Sequence, residues 1–130
     1  MKSLSVLFAF AFLAAAVSGC NKGPELRPGW ADVSGVVTYQ GKPLPGGEVV
    51  WLADKDGVTV MRGGAIREDG TFSLDAPIGK AKIAVHTSDM KTVNPKRYVD
   101  IPAKFTDPEK SNITYESKAG ENKDVRIDLK

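Results

Sequence analysis

The chain has 130 residues, of which 42% are hydrophobic and 26% are charged, and its formal net charge at pH 7 is +2. This length predicts one domain, and the composition is that of a globular protein rather than of a disordered or collagen-like chain. The chain carries no long lysine- or arginine-rich tract, which argues against a nucleic-acid-binding protein.

The first residues differ sharply from the rest of the chain. Lys2 is followed by an apolar run from Val6 to Val17 and then by small residues. A basic start, a short apolar centre and a small-residue end are typical of a secretory signal peptide. The apolar run is shorter than the ~20 residues that a transmembrane helix needs. We therefore predict a cleaved signal peptide over residues 1–19.

Cys20 is the only cysteine, and it follows Val17, Ser18 and Gly19 directly. An exported chain with one cysteine cannot form an internal disulfide, so its thiol needs another explanation. The segment resembles a bacterial lipobox, in which the thiol receives a thioether-linked diacylglycerol before the signal is cut. The resemblance implies lipidation of Cys20, with palmitate among the acyl chains. A plain signal peptide cleaved near Ala16 is the alternative.

Lipidation at Cys20 would decide where the protein resides. Two or more acyl chains anchor a protein stably, whereas one chain binds only marginally. We expect a cell-envelope lipoprotein whose domain lies on the extracytoplasmic side of a membrane. Asn21, in a place where Asp is associated with retention at the inner membrane, favours the outer membrane.

The mature chain begins with a segment that predicts a tether. Residues 20–32 include two Pro and two Gly and show no apolar periodicity. Pro fixes the backbone and removes a donor, while Gly loosens the chain. We place the domain at 33–130.

The pattern from Val33 onward predicts short strands separated by turns. We expect a bulge at Gly63-Gly64 and a hairpin turn at 68–70, where Glu-Asp-Gly precedes an alternating segment. Residues 87–111 contain three X-Pro pairs and predict an irregular excursion. The predicted strands are 33–40, 48–54, 58–67, 71–75, 81–87, 113–115 and 125–129.

About seven strands with frequent turns predict an all-β fold, an antiparallel Ig-like sandwich. The segment 48–54 is apolar on both faces, which predicts a central strand or an exposed patch. In the last strand Val125, Ile127 and Leu129 alternate with polar residues, which predicts a sheet with one solvated face.

The segments 33–37, 41–49, 66–72, 76–83, and 101–105 through 129 together resemble a known family. Their order and spacing are similar to those of carboxypeptidase regulatory-like domains, which have a transthyretin-like (prealbumin-like) sandwich. The resemblance implies a module for binding, folding or spacing rather than an enzyme. The C-terminal part resembles a subgroup of small bacterial lipoproteins with this domain.

The function expected from the sequence is therefore a non-catalytic, membrane-anchored module that binds or spaces an unidentified partner, with no cofactor and no metal. The alternative is a carbohydrate-binding module in which exposed aromatic residues, Trp51 and Tyr98, stack on sugar rings. Tyr39 and Trp30 are further candidate neighbours of Trp51. The competing interpretation of Trp51, which we favour, places its ring in the core of the sandwich.

The remaining candidate chemistry centres on His86, which is the only histidine. A zinc site of the usual structural kind needs further His or Cys ligands, so we expect a solvated strand histidine. Asp54-Lys55-Asp56-Gly57 lacks the later ligands of a calcium loop and predicts a charged hairpin turn. A small envelope hydrolase is the second functional alternative, and it would need a pocket that holds His86 beside a carboxylate.

Overall fold

The computed structural model describes residues 27–130, which form two four-stranded sheets packed as a sandwich. In the first sheet, sheet A, β1 pairs with β2 and β5 on one side and with β8 on the other; sheet B has the order β4-β3-β6-β7. The predicted all-β sandwich is confirmed. The strands are β1 Trp30–Tyr39, β2 Lys42–Pro43, β3 Glu48–Lys55, β4 Val58–Ala65, β5 Thr71–Pro77, β6 Gly79–His86, β7 Ile113–Ser117 and β8 Gly120–Leu129.

Alternation along the strands builds the core between the sheets. The inward residues of β3 are Val49, Trp51 and Ala53, and all three are buried. Ile83 and Val85 of β6 face the same core, as the sequence predicts, and β3 is a central strand between β4 and β6. Side chains on alternate positions of a strand share one face, so these residues form a continuous apolar layer.

Sheet A departs from the antiparallel prediction because β1 and β8 run parallel. Their register shifts between Val33 and Gly35, which marks a β-bulge, and Asp124 in the bulged segment has a φ of 60°. The bulge predicted at Gly63-Gly64 is wrong. Those residues pair with Val50 and Val49 in unbroken register, so the two glycines lie in a regular edge strand.

The turn at 66–70 is not a hairpin turn, so that prediction is also wrong. It connects β4 of sheet B to β5 of sheet A, and the two strands belong to different sheets. Asp69 forms the turn by accepting hydrogen bonds from the backbone N–H (3.0 Å) and the hydroxyl (2.6 Å) of Thr71. These bonds lower the pKa of Asp69. The same local turn residues can close a hairpin within one sheet or connect two sheets. Which of the two forms depends on how the following strand packs in the sandwich.

The domain begins before the predicted boundary at residue 33. β1 starts at Trp30, which pairs with Pro77, so residues 30–32 belong to the sheet and not to the tether. The predicted signal peptide, Cys20 and the first part of the predicted tether lie outside the described residues.

The predicted excursion between β6 and β7 contains one short α-helix and two 3-10 helices: α1 Met90–Val93, Pro95–Arg97 and Ala103–Thr106. Arg97 fastens it to the sandwich by donating hydrogen bonds to the carbonyl oxygens of Pro45 (2.6 Å) and Ile66 (3.1 Å). The excursion also packs against Gly46, where an added Cβ would lie 2.9 Å from Cε of Met90. Across residues 27–130, no helix has the length and apolar character needed to cross a bilayer.

Candidate functional site

A groove of about 530 Å³, lined mostly by charged and polar residues, lies on the outer face of sheet A, at the end where β1 begins. Asp32 of β1 is opposite Asp75 of β5 on one side and opposite Glu121 of β8 on the other. This register places three carboxylates in one row across the sheet. We call this the entry groove; its lining includes Arg27, Trp30, Asp32, Asp75, Glu121 and Lys123.

Two arginines neutralise Asp75 at one side of the entry groove. Arg27 donates from Nη2 to Oδ2 of Asp75 at 2.9 Å, and Arg62 donates from Nη2 to the other carboxylate oxygen. Arg62 also donates from Nε to the backbone carbonyl of Asp75 at 3.2 Å. Because Arg62 belongs to the edge strand of sheet B, this contact ties the two sheets together.

The protonation of Asp75 reflects these contacts. Partial burial disfavours its charged form, but the hydrogen bonds from Arg62 and Arg27 outweigh that effect and lower the pKa of Asp75. The carboxylate therefore stays ionised at neutral pH and contributes to stability as an ion.

Trp30 lies beside the same cluster and is half-buried. The guanidinium carbon of Arg27 is 4.1 Å from the centroid of the indole ring, and that of Arg62 is 5.3 Å away. Both distances are within the range of cation–π attraction. The ring therefore packs under the two arginines and helps to hold them on Asp75.

Asn122 fixes the opposite side of the entry groove. Its side chain is buried, and Nδ2 donates to the backbone carbonyls of Asp32 (3.2 Å) and Lys118 (2.8 Å). Its Oδ1 accepts from the backbone N–H of Lys118 at 2.9 Å. These bonds hold the β7–β8 turn against β1, so the groove is built on ordered backbone.

The charges of the entry groove are close to balanced. Lys123 lies 3.1 Å from a carboxylate oxygen of Glu121, and Asp75 has its two arginines, while Asp32 forms no ion pair with another residue of the described chain. In residues 27–130 no group of three or more His, Cys, Asp or Glu side chains is arranged to hold a metal ion. The row of three carboxylates is therefore accompanied by Arg27, Arg62 and Lys123, and Asp32 is the carboxylate in it that no described cation neutralises.

The candidate role of Trp51 as a ligand-binding residue is contradicted by its burial. Its side chain is 0% exposed and packs edge-on against Tyr115, with the ring centroids 5.7 Å apart. The ring fills the space between the sheets, as the competing interpretation expected, because it faces inward from the central strand β3. No face of Trp51 is open to a sugar, and its indole N–H is buried without a hydrogen-bond partner among the described residues.

Tyr98 lies on the excursion and does not share a surface with Trp51. Tyr98 is half-buried, and its hydroxyl donates to Oδ1 of Asp100 at 3.1 Å. Nζ of Lys91 is 5.0 Å from the centroid of its ring. The predicted pair of aromatic residues therefore does not form a common platform, because one ring is in the core and the other is on a surface loop.

His86 faces away from Ile83 and Val85, as predicted, and is partly exposed. Its Nε2 is 2.8 Å from the carbonyl oxygen of Thr106, so the imidazole holds the excursion against β6. His86 also borders a shallow pocket of about 240 Å³ that includes Glu48 and Asp89. In the described chain neither carboxylate nor any hydroxyl group forms a hydrogen bond with the ring.

Reasoning from the sequence missed Arg62 and Asp75, and it named Trp30 only as a neighbour of Trp51. Arg62 and Asp75 are 13 residues apart and lie on strands of different sheets. Strand alternation predicts which face a residue occupies, but it does not predict which side chain of the opposite sheet reaches it. The local signal available was the run Arg27-Pro28-Gly29-Trp30, a turn that places a basic and an aromatic residue together.

Asp75→Asn is expected to lower the unfolding free energy at pH 7 by about 1 kcal/mol, which corresponds to roughly 5 °C in Tm. The effect is modest because the ion pairs of Asp75 with Arg27 and Arg62 are only partly buried. The carboxyl contributes above its unfolded pKa of about 3.9, and the contribution disappears as pH falls through the lowered folded pKa. The gap between wild type and variant should thus close on acidification below about pH 4. Thermal unfolding of wild type and Asp75→Asn at several pH values measures this difference in Tm.

Asp89→Asn is the matched control, since Asp89 is exposed and forms no ion pair with any described residue. It should leave Tm within error of wild type at neutral pH. A Tm gap for Asp75→Asn that is the same at pH 7 and pH 2 would contradict the assignment of an ionised, arginine-bound Asp75.

No family model matches the sequence, and no curated protein matches it. Among solved structures, the crystal structure of a DUF3823 family protein from Parabacteroides merdae ATCC 43184 is similar, with a TM-score of 0.52 and 17% identity. The similarity covers 77% of this chain and 45% of that protein, so the chain spans less than half of its length. At this identity the likeness concerns the fold, a β-sandwich.

Proposed function

We propose that the chain is a non-catalytic lipoprotein of a bacterial cell envelope, anchored through acyl chains on Cys20. Its sandwich is a carboxypeptidase regulatory-like module that binds or spaces a partner at the membrane surface. The lipobox-like sequence before Cys20 supports the anchor, and the order of turn and strand segments supports the family.

The observation that carries the proposal is the firm attachment of the chain where it enters the sandwich. Arg27 is bound to Asp75 and stacked on Trp30, only seven residues after Cys20. The start of the sandwich is therefore seven residue steps along the chain from the proposed anchor. The entry groove beside it is rich in polar groups and is the surface we assign to the partner.

The two alternatives are less well supported by the described side chains. A carbohydrate-binding role based on Trp51 loses its platform, since that ring is buried. A hydrolase would use His86 with Glu48 or Asp89, but the ring binds the carbonyl of Thr106 instead. In the described chain His86 forms no hydrogen bond with a hydroxyl group, so it does not activate a serine or threonine nucleophile there.

Cys20→Ala is expected to abolish incorporation of a clickable fatty acid and to release the protein from the membrane fraction. The thioether to diacylglycerol requires the sulfur, and without acyl chains the hydrophobic anchor is lost. In-gel fluorescence after labelling cells that express the full chain measures the incorporation.

Ser18→Ala is the matched control because alanine keeps the small side chain before the cleavage point, and labelling should persist. Equal labelling of wild type and Cys20→Ala would contradict the anchor. An unlabelled wild type would contradict it as well.

A further inference from the structure

Four segments meet at the end of the sandwich where the chain enters. β1, β4, β6 and β8 begin at this end, while β3, β5 and β7 finish there, so the intervening turns lie together. We call this surface the entry end; it consists of residues 27–30, 55–58, 77–79 and 117–120. The turns at 40–47 and 66–70 and the start of the excursion lie at the opposite end.

The chain is fixed to the entry end by backbone contacts. The carbonyl of Arg27 accepts from the N–H of Trp30 at 2.9 Å, and the carbonyl of Gly29 accepts from the N–H of Ile78 at 3.0 Å. Lys55 packs on the same residue, since an added Cβ on Gly29 would lie 2.6 Å from its Nζ. The first described residues therefore join the turns at 55–58 and 77–79 into one surface.

The covalent chain limits how far this surface can be from the anchor. Seven residue steps separate Cys20 from Arg27. A fully extended chain of that length spans about 25 Å. With acyl chains on Cys20 in the bilayer, the entry end stays within that distance of the lipid.

The entry end exposes apolar side chains to solvent. Val58, at the tip of the β3–β4 hairpin, is 63% exposed, and Ile78, between β5 and β6, is 37% exposed. Met61, 66% exposed, follows three residues along β4. Among residues 27–130, Val93 on α1 is the large apolar residue that is exposed at the opposite end. A surface near lipid that displays Val and Ile can bury them at the boundary of headgroups and acyl chains.

Basic groups accompany these apolar residues. Lys80 and Lys118 are exposed, and neither forms an ion pair with another residue in the described part of the chain, although Glu116 is opposite Lys80 in the sheet register. Lys55 is paired with Asp56 at 3.3 Å. Lysines close to a membrane are attracted to anionic headgroups. Asp56, which pairs with Lys55, and Glu116, which lies opposite Lys80, offset much of this positive charge. The apolar side chains therefore carry most of the contact.

We propose that the entry end is a membrane-contact surface, in which Val58 and Ile78 enter the headgroup region and Lys80 and Lys118 face lipid phosphates. This inference rests on the proposed anchor at Cys20. The sandwich then stands on the bilayer, and its opposite end points away. The entry groove opens sideways just above the headgroups, where it can accept a partner that is itself close to the membrane.

The test uses the full lipidated chain in vesicles of phosphatidylethanolamine and phosphatidylglycerol at a ratio of about 3:1, since anionic lipid is required. Acylation consumes the thiol of Cys20, so Val58→Cys, Ile78→Cys or the matched control Val93→Cys supplies one free thiol for a nitroxide. Spin-label accessibility to molecular oxygen reports lipid, and accessibility to a water-soluble nickel chelate reports water.

At positions 58 and 78 we expect the ratio of oxygen to nickel accessibility to exceed that at position 93 by at least about threefold, as for groups at headgroup depth. A ratio equal to that at position 93 overturns the proposal. Exclusion of both reagents at 58 and 78 also overturns it, because a protein partner and not lipid would then cover the surface. If Cys20 is unmodified, mass spectrometry shows no acyl chain and two nitroxides per chain, and that outcome overturns the anchor itself.

Discussion

Gly35→Ala is expected to destabilise the sandwich by more than about 4 kcal/mol, because overpacking against fixed backbone is among the most costly substitutions. A Cβ on Gly35 would lie 1.8 Å from the carbonyl oxygen of Val125 and 2.6 Å from its carbonyl carbon. Both atoms belong to the backbone of β8 at the bulge, so no side-chain rotation can relieve the overlap. The parallel pair β1–β8 would have to separate locally.

The expected fall in Tm is more than about 15 °C for a domain of this size, measured by thermal unfolding. Gly63→Ala is the matched control, since Gly63 is also a strand glycine without a positive φ. Its added Cβ would meet Oε1 of Glu48, the end of an exposed and flexible side chain that can move away. A Tm for Gly35→Ala close to that of Gly63→Ala would show that the bulge does not bring β8 so near to β1.

Trp51→Ala is expected to cost about 3–5 kcal/mol in unfolding free energy, the range for truncating a large buried aromatic residue. Trp51 is completely buried at the centre of sheet B, and its ring contacts that of Tyr115 edge-on. Removing the ring leaves a cavity between the two sheets that rigid strands cannot close. Chemical denaturation, with the slope compared between variants, measures the loss.

Trp51→Phe separates packing from polarity at the same site. Phenylalanine keeps most of the apolar area and removes the indole N–H, which has no hydrogen-bond partner among the described residues. We expect it to cost less than half as much as Trp51→Ala, because an unsatisfied buried donor is itself unfavourable. Equal costs for the two variants would mean that the N–H has a partner or that the cavity left by phenylalanine dominates.

Local pattern predicted much of the fold. The inward positions of β6 and β8, including Ile83, Val85 and Ile127, follow from alternation, because residues two apart in a strand share a face. The polar residues Arg126 and Asp128 lie on the exposed outer face of sheet A, as predicted. The irregular excursion followed from its X-Pro pairs, since Pro has no N–H to donate to a neighbouring strand.

The predictions from the sequence were wrong where segments that are distant in the chain meet in the fold. The turn at 66–70 has ordinary hairpin residues, yet it carries the chain to the other sheet. The bulge lies in β8 beside Gly35 of β1, and not at Gly63-Gly64. The close approach of β8, about 90 residues later in the chain, requires a residue without a side chain at position 35. Neither partner strand is visible from the sequence around the glycine.

In the candidate site, too, local features could be predicted from the sequence and contacts between distant segments could not. The lipobox-like segment and the single Cys20 could be recognised in the sequence, since a processing signal is read from an extended, local stretch of chain, and lipidation at Cys20 stays a prediction. The burial of Trp51, the union of Arg27 and Arg62 on Asp75, and the four turns of the entry end became visible only in the folded sandwich. Those features depend on which strands pack together. The packing of strands is determined by the free energy of the whole core and not by residues adjacent in the sequence.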